Sequence, residues 1–401
     1  MQITVDLDAE PWVPEFPSSI EWEIAVTDTT LRDGMQGWRS LSVDEAVGLY
    51  MLLSEIGPVV ESTELFLYTE EHRRIYREIA RHNGPRPIGW IRASPRDVRL
   101  VLDSGVDETV VLASVGPLHV ERKMGSTWAT VRDKYLDAVE MLARAGVSFR
   151  LALEDVTRAQ WAVVEDIVSR ARAIAERHGV GFRVKLSDTL GLGLPFPQAP
   201  LPRGIPALVE RLHSIGLEPG EIEFHGHNDL GLVVANQLAA WLSGASYGNC
   251  TLLGIGERAG NCPMEVALVH YISLTGDMDR VNLRVLPEIV GYLERLGYRV
   301  PEHQPVVGEN AFNTRAGIHV DGLLKDPRLY LPFHPGIVGR RATVSIDKLS
   351  GRSGVYLLLR SLGVEVRGKD DPLVERGYRL LLEGVPPERL PVVLGVAGLA
   401  R

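Results

Sequence analysis

The segments Asp28-Thr29-Thr30-Leu31-Arg32-Asp33-Gly34 and Phe224-His225-Gly226-His227-Asn228-Asp229 decide the reading of this chain. Each sits at the end of a short apolar run, 24–27 and 222–224. Side chains alternate along a strand, so His225 and His227 share one face. Two imidazoles on one face, with a carboxylate such as Asp33 from another strand end, make half of an octahedral divalent-metal site and leave positions open for a ligand. A lone His-x-His pair also reads as two polar residues at a strand end. The cation and carboxylate of Arg32-Asp33, at the end of a second apolar strand, favour the metal site.

Working outward from these segments, β-rich runs recur at 24–27, 59–65, 87–91, 109–113, 148–153, 182–186, 222–224 and 247–254. Amphipathic stretches such as 42–56, 130–145, 161–178 and 230–243 lie between them. Eight strands alternating with helices over roughly 250 residues predict an α/β fold, a (β/α)8 TIM barrel. A doubly wound open sheet is the alternative, but no Gly-x-Gly-x-x-Gly follows the first strand.

Polar residues gather where such a barrel needs them. Glu64 lies on the second strand, Arg92 just after the third, Ser114 after the fourth, and Glu154 and Asp155 after the fifth. Asp188 and Thr189 follow the sixth, and Glu257, Arg258 and Asn261 follow the eighth. The C-terminal ends of barrel strands are where active sites sit. After about residue 277 the rhythm changes. The stretch 281–296 reads as a helix, 297–307 as a proline-containing connector, and the rest, with glycine-rich 347–354, as a small, mainly helical C-terminal subdomain. The expected division is an N-terminal extension 1–22, a barrel 23–290, and a linker with subdomain 291–401.

Composition bounds the function. The chain has 401 residues, 45% hydrophobic and 24% charged, ordinary for a globular enzyme. A net charge of −9 argues against nucleic acid and anionic membrane as partners. Cys250 and Cys262 form no Cys-x-x-Cys pair, so neither a zinc knuckle nor a disulfide framework is expected. The first 17 residues carry Asp6, Asp8, Glu10 and Glu15 and lack the apolar core of a signal peptide; no run is long enough to span a bilayer. The expected compartment is the cytoplasm.

With these residues on the page, the chain resembles the acyl-CoA-dependent carboligases: isopropylmalate, homocitrate, citramalate and Re-face citrate synthases. The resemblance runs from about residue 24 to about 354 and is most specific at 27–36, 223–230, 254–261 and 315–322. Glu64-Leu65-Phe66-Leu67-Tyr68, Gly89-Trp90-Ile91-Arg92-Ala93, Glu154-Asp155-Val156-Thr157-Arg158-Ala159 and Asn313-Thr314-Arg315 look most like Re-face citrate synthases. Two departures stand out. Met35-Gln36-Gly37-Trp38-Arg39 differs from the Gln-Gln segment of those enzymes. Ala152 stands where homocitrate synthases carry a hydroxyl that holds the distal carboxylate, which argues against 2-oxoglutarate.

The resemblance implies a Claisen condensation of acetyl-CoA, the co-substrate, with a 2-oxo acid, followed by thioester hydrolysis. Oxaloacetate is the expected acceptor; 2-oxoglutarate, 2-oxoisovalerate and pyruvate are the alternatives. It implies a divalent metal (Mg2+, Mn2+, Co2+ or Zn2+) on Asp33, His225 and His227, with Asn261 contributing its amide oxygen directly or through water; Asn261 also reads as a turn residue. Arg32 is expected to stabilise the forming alkoxide. His319 is the expected general acid/base, brought by a homodimer partner over the barrel mouth. Glu154 orients that histidine or takes the proton itself, unless it is a rim carboxylate paired with Arg150 or Arg158. Arg92 and Thr189 first, Arg150 and Arg158 second, are expected to bind substrate carboxylates. A metallo-hydrolase, an acyl-CoA lyase and an inert metabolite sensor rank lower. The histidine pair lies on the seventh strand rather than the first, and neither Arg32 nor a metal ligand is lost.

Overall fold

The computed structural model describes residues 1–7, 9–16 and 20–396. The chain opens with strand β1 (Gln2–Val5). An alternation follows: β2 (Ala25–Asp28), α1 (Val43–Ser54), β3 (Val60–Phe66), α2 (Glu70–Ile79), β4 (Arg86–Arg92), α3 (Pro95–Ser104), β5 (Glu108–Ser114) and α4 (Trp128–Arg144). It continues with β6 (Ser148–Glu154), α5 (Trp161–His178), β7 (Phe182–Asp188), α6 (Ile205–Ser214), β8 (Ile222–Gly226), α7 (Val233–Leu242), β9 (Tyr247–Cys250) and α8 (Met264–Thr275). Strands β2 to β9 close into a parallel barrel in sequence order, β9 pairing back onto β2. The open-sheet alternative is thereby excluded.

The chain divides into two compact units: Glu15–Asn282, which holds the barrel, and Met1–Pro14 with Leu283 onward. Barrel strands are buried almost throughout, as for β7 and β5, because helices cover one face and the barrel interior the other. Helix starts follow local chemistry. Ser42 and Glu45 form a reciprocal capping box on α1, and Ser94 caps α3 ahead of Pro95. The run expected as strand 247–254 stops at Cys250. Leu252–Gly254 turn back instead, with Leu253 at φ +56° and its N–H donating to the Glu265 carboxylate.

The barrel interior is chemically two-sided. Ile88, Val110 and Ala152 pack with Trp90 into an apolar wall on β4 to β6. Buried Thr27, Glu64, Lys185, Glu223 and Asn249 line β2, β3, β7, β8 and β9.

The second unit contains α9 (Leu286–Arg295), β10 (Asn313–Thr314), α10 (Gly317–Lys325), β11 (Ala342–Ser345), α11 (Gly351–Ser361), α12 (Pro372–Leu382) and α13 (Leu390–Val393). It is mainly helical, as read from sequence, but carries a three-stranded sheet in the order β1-β11-β10. β1 runs antiparallel to β11, Gln2 opposite Ser345, so the first residues of the chain build this unit. Strands of two to four residues are too short to declare themselves by alternation. No helix among the described residues is long and apolar enough to cross a membrane.

Candidate metal centre and active site

A wide helical turn, Thr30–Gly34, follows β2 and carries Arg32 and Asp33 to the C-terminal mouth. The carbonyl of Thr29 accepts from the N–H groups of Arg32, Asp33 and Gly34. Buried Asp28 anchors the turn: Oδ1 accepts from the Thr30 N–H and hydroxyl, Oδ2 from Thr63 Oγ1 at 2.6 Å. Burial pushes the Asp28 carboxyl up to about 6, against these hydrogen bonds.

Arg32 is held on three sides. Its Nε and Nη2 donate to Glu64 Oε2 at 3.1 and 2.8 Å, and its Nη1 to Asp33 Oδ1 at 2.8 Å. Its guanidinium carbon lies 5.2 Å from the Trp90 ring centre. The other Asp33 oxygen, Oδ2, faces His225 Nε2 at 3.6 Å and His227 Nε2 at 3.7 Å. Burial alone would raise the Asp33 carboxyl, but Arg32 and the two imidazoles outweigh it and hold it at about 2. Burial drives His225 well below the ordinary histidine range, and His227 in the same direction, both against the pull of Asp33. Both shifts favour the neutral ring, the form that ligates metal.

These residues fit a divalent cation. One ligand atom from each of Asp33, His225 and His227 lies within 4.8 Å of the others, and all three residues are buried. Among the described residues, Asp33 Oδ2 and Asn261 Oδ1 are buried acceptors without a hydrogen-bond donor, an arrangement that costs free energy and that a cation would relieve. Asn261 is bridged to His227 and donates its amide N–H to the Ile255 carbonyl at 3.2 Å, which leaves the oxygen for the centre.

A cavity of about 160 Å³ opens beside this cluster. Arg32, Asp33, His225, His227, Glu154 and Thr189 line it. Glu154 accepts from the Ser114 hydroxyl and from Lys123 Nζ at 2.8 Å, not from Arg150 or Arg158. Burial raises its carboxyl, but Lys123 and Ser114 win and keep it below the usual range, hence ionised. Thr189 Oγ1 accepts the Asp155 N–H at 2.8 Å.

The arginines expected to bind substrate lie elsewhere. Arg150 is a correction. As the third residue of β6 it points inward below Ala152, is wholly buried, and meets Glu108 at 2.5, Glu61 at 2.9 and Glu223 at 3.2 Å. It is the hub of an internal ion cluster nearer the N-terminal ends of the strands. Arg92, its side chain 63% exposed, is bound by Asp97 at 2.9 Å and lies over Tyr68, outside the cavity lining. Arg158 pairs with Asp155 at 2.7 Å and is likewise not in the lining. His319 lies on α10 of the second unit, its ring stacked 4.3 Å from Tyr330.

Lys185 and His119 were missed by sequence reasoning, and Arg258 was placed at the end of the eighth strand without a role. Lys185, 1% exposed, lines the cavity and is held by Glu64 and by Glu223 at 3.1 Å. A lysine inside the apolar run 182–186 was a legible signal, since an ammonium in a strand buried on both faces needs partners. Arg258 also lines the cavity, gripping Asp229 at 2.7 Å and the Thr189 carbonyl. His119 sits between Asp155 at 3.0 Å and Glu154 at 3.8 Å.

The fold and site define a parallel barrel with a buried acid–histidine cluster, a candidate metal centre, at its C-terminal mouth. The HMGL-like family model matches residues 23–290, and a homocitrate synthase post-HMGL domain-like model matches 306–373; the chain belongs to the HMGL-like family. A citrate (Re)-synthase of Clostridium kluyveri is 37% identical over 85% of this chain and 77% of its own length. A 2-phosphinomethylmalate synthase of Streptomyces hygroscopicus is 38% identical over 89% of this chain and 84% of its own. A hydroxymethylglutaryl-CoA lyase from Pseudomonas aeruginosa superposes with a TM-score of 0.59 at 17% identity, covering 72% of this chain and 95% of that one, a likeness of fold.

Proposed function

We propose that this protein condenses acetyl-CoA with a 2-oxo acid and then hydrolyses the thioester, with oxaloacetate as acceptor and citrate as product. The observation that carries the reading is the Asp33 carboxylate facing the two buried imidazoles of His225 and His227, with Arg32 locked beside it by Glu64. The 37% identity to a citrate (Re)-synthase supports the choice of acceptor.

A divalent cation on Asp33, His225, His227 and Asn261 would polarise the acceptor's ketone. The chain's own groups do the rest. Glu154, ionised beside Lys123, takes a proton from the acetyl methyl group. The resulting carbon nucleophile attacks the ketone carbon, and Arg32 donates to the oxygen as it becomes an alkoxide. That alkoxide gains a proton, and water then cleaves the thioester to release CoA. His319 is proposed as the second acid/base group, supplied by the partner subunit of a homodimer working in the cytoplasm.

A second acceptor class has one observation in its favour. The relative of Streptomyces hygroscopicus is level in identity, and the product in its name carries a phosphinomethyl group.

The test is to follow CoA release with acetyl-CoA, Mn2+ and oxaloacetate, 2-oxoglutarate, 2-oxoisovalerate or pyruvate in turn. Oxaloacetate is expected to be fastest, and chelation is expected to stop the reaction. Faster turnover of another acid overturns the acceptor assignment and leaves the condensation standing.

A further inference from the structure

We propose that Lys185 receives the distal carboxylate of the acceptor acid, and that Ala152 beside it makes the room. This rests on the condensing reading above and deepens it.

In this reading an acceptor held through its ketone and adjacent carboxylate at the Asp33–His225–His227 end would extend across the cavity toward the wall formed by β4 to β7. Of the residues lining the cavity, that wall contributes Trp90, Leu112, Ala152, Glu154, Lys185 and Ser187. Lys185 is the one cation among these six. Ala152 and Lys185 are in-register neighbours on adjacent strands, as are Leu112 and Ala152. The small methyl of Ala152 therefore leaves space directly beside the stem of Lys185.

The ammonium is fixed rather than mobile. An ammonium has three donor protons; Glu64 and Glu223 take two directions, and the group also borders the cavity. Arg258, the rim alternative, turns both Nε and Nη2 toward Asp229 and the Thr189 carbonyl, and its side chain is 39% exposed. Both cations are paired, but a carboxylate gains more from a buried, prepositioned cation than from a partly solvent-exposed one.

The test compares freshly dissolved oxaloacetate with pyruvate, two acids that differ only in the second carboxylate, by calorimetric titration of the Mn2+-loaded protein. The unaltered protein is expected to favour oxaloacetate by about 100-fold. Lys185→Met is expected to reduce that preference to within about threefold, and Lys185→Arg to keep most of it. Loss of the ammonium removes a buried partner from Glu64 and Glu223, which keep Arg32 and Arg150, and a second variant covers the case in which Lys185→Met does not fold. Ala152→Asp then decides: it keeps Lys185 and its partners but sets a carboxylate where the substrate's would lie, and the preference is expected to collapse. An undiminished preference in folded Lys185→Met, or in Ala152→Asp, overturns the inference. Failure of the unaltered protein to release CoA with any 2-oxo acid defeats the parent reading instead.

Discussion

Glu64 carries more of the site than any motif suggests. One oxygen accepts from Thr29 and from two nitrogens of Arg32; the other takes Lys185 and Asn249. It thereby sets the direction of Arg32, whose remaining nitrogen reaches Asp33. Lysine cannot reproduce that planar fork. Arg32→Lys is expected to lower kcat by roughly 100- to 1,000-fold with little change in fold, as loss of a prepositioned donor does; wild-type kcat with saturating acceptor would remove Arg32 from the chemistry. His225→Ala takes away a neutral ligand and leaves Asp33 facing a hole. Metal affinity is expected to fall by roughly 100-fold or more, beyond the loss from an outer-shell change, read by metal titration. Full turnover by that variant without added metal refutes the metal centre.

Elements place these residues by ordinary local rules, and they can be tested as elements. α1 begins where Ser42 and Glu45 cap one another, and Arg39 clamps Glu45 from the preceding loop. The hydrogen bond from Arg39, then that from the Ser42 N–H, hold the Glu45 carboxyl at about 2 against an ordinary 4.5. A depressed folded-state value means stabilisation that is complete above 4.5 and is lost as pH falls through about 2. The Tm difference between the unaltered protein and Glu45→Gln is therefore expected to shrink between pH 5 and pH 2; a pH-independent difference contradicts the linkage. Within the barrel, Arg150 compensates Glu61, Glu108 and Glu223. Arg150→Met is expected to cost about 3–5 kcal/mol, the penalty for breaking a buried ion cluster on one side, measured by denaturant unfolding. A change under about 1 kcal/mol would mean the carboxylates find other partners.

At the scale of the whole molecule the groups proposed for the chemistry fall in different units. The candidate metal-centre residues belong to Glu15–Asn282, while His319 stands on α10 in the other unit. If each active site draws His319 from a partner subunit, Arg32→Ala and His319→Ala proteins are each inactive alone and complement when mixed. Random hybrid formation is expected to restore up to about one quarter of the activity at equal mixing, each site needing both intact residues. No recovery after subunit exchange has been demonstrated by mass would place the two residues in cis or take His319 out of the reaction.

The amino-acid sequence by itself determined the barrel and brought together the residues of the candidate metal site. Eight apolar runs separated by amphipathic ones allow few other architectures, and His225 and His227 share a face because a strand has a period of two. What only the tertiary structure decided is which charges meet. Arg150, Arg92 and Lys185 are all cations on or at the end of barrel strands, and nothing in their neighbours along the chain separates them. Depth along the strand sends Arg150 to an internal cluster, Asp97 draws Arg92 aside, and the pairing of β7 with β6 sets Lys185 beside Ala152 at the cavity. The sheet that unites β1 with β10 and β11 was equally invisible, since partners hundreds of residues apart leave no local period to read. Periodicity is a property of neighbours in sequence, whereas the pairing of buried charges is settled by register and depth among strands that meet only on folding.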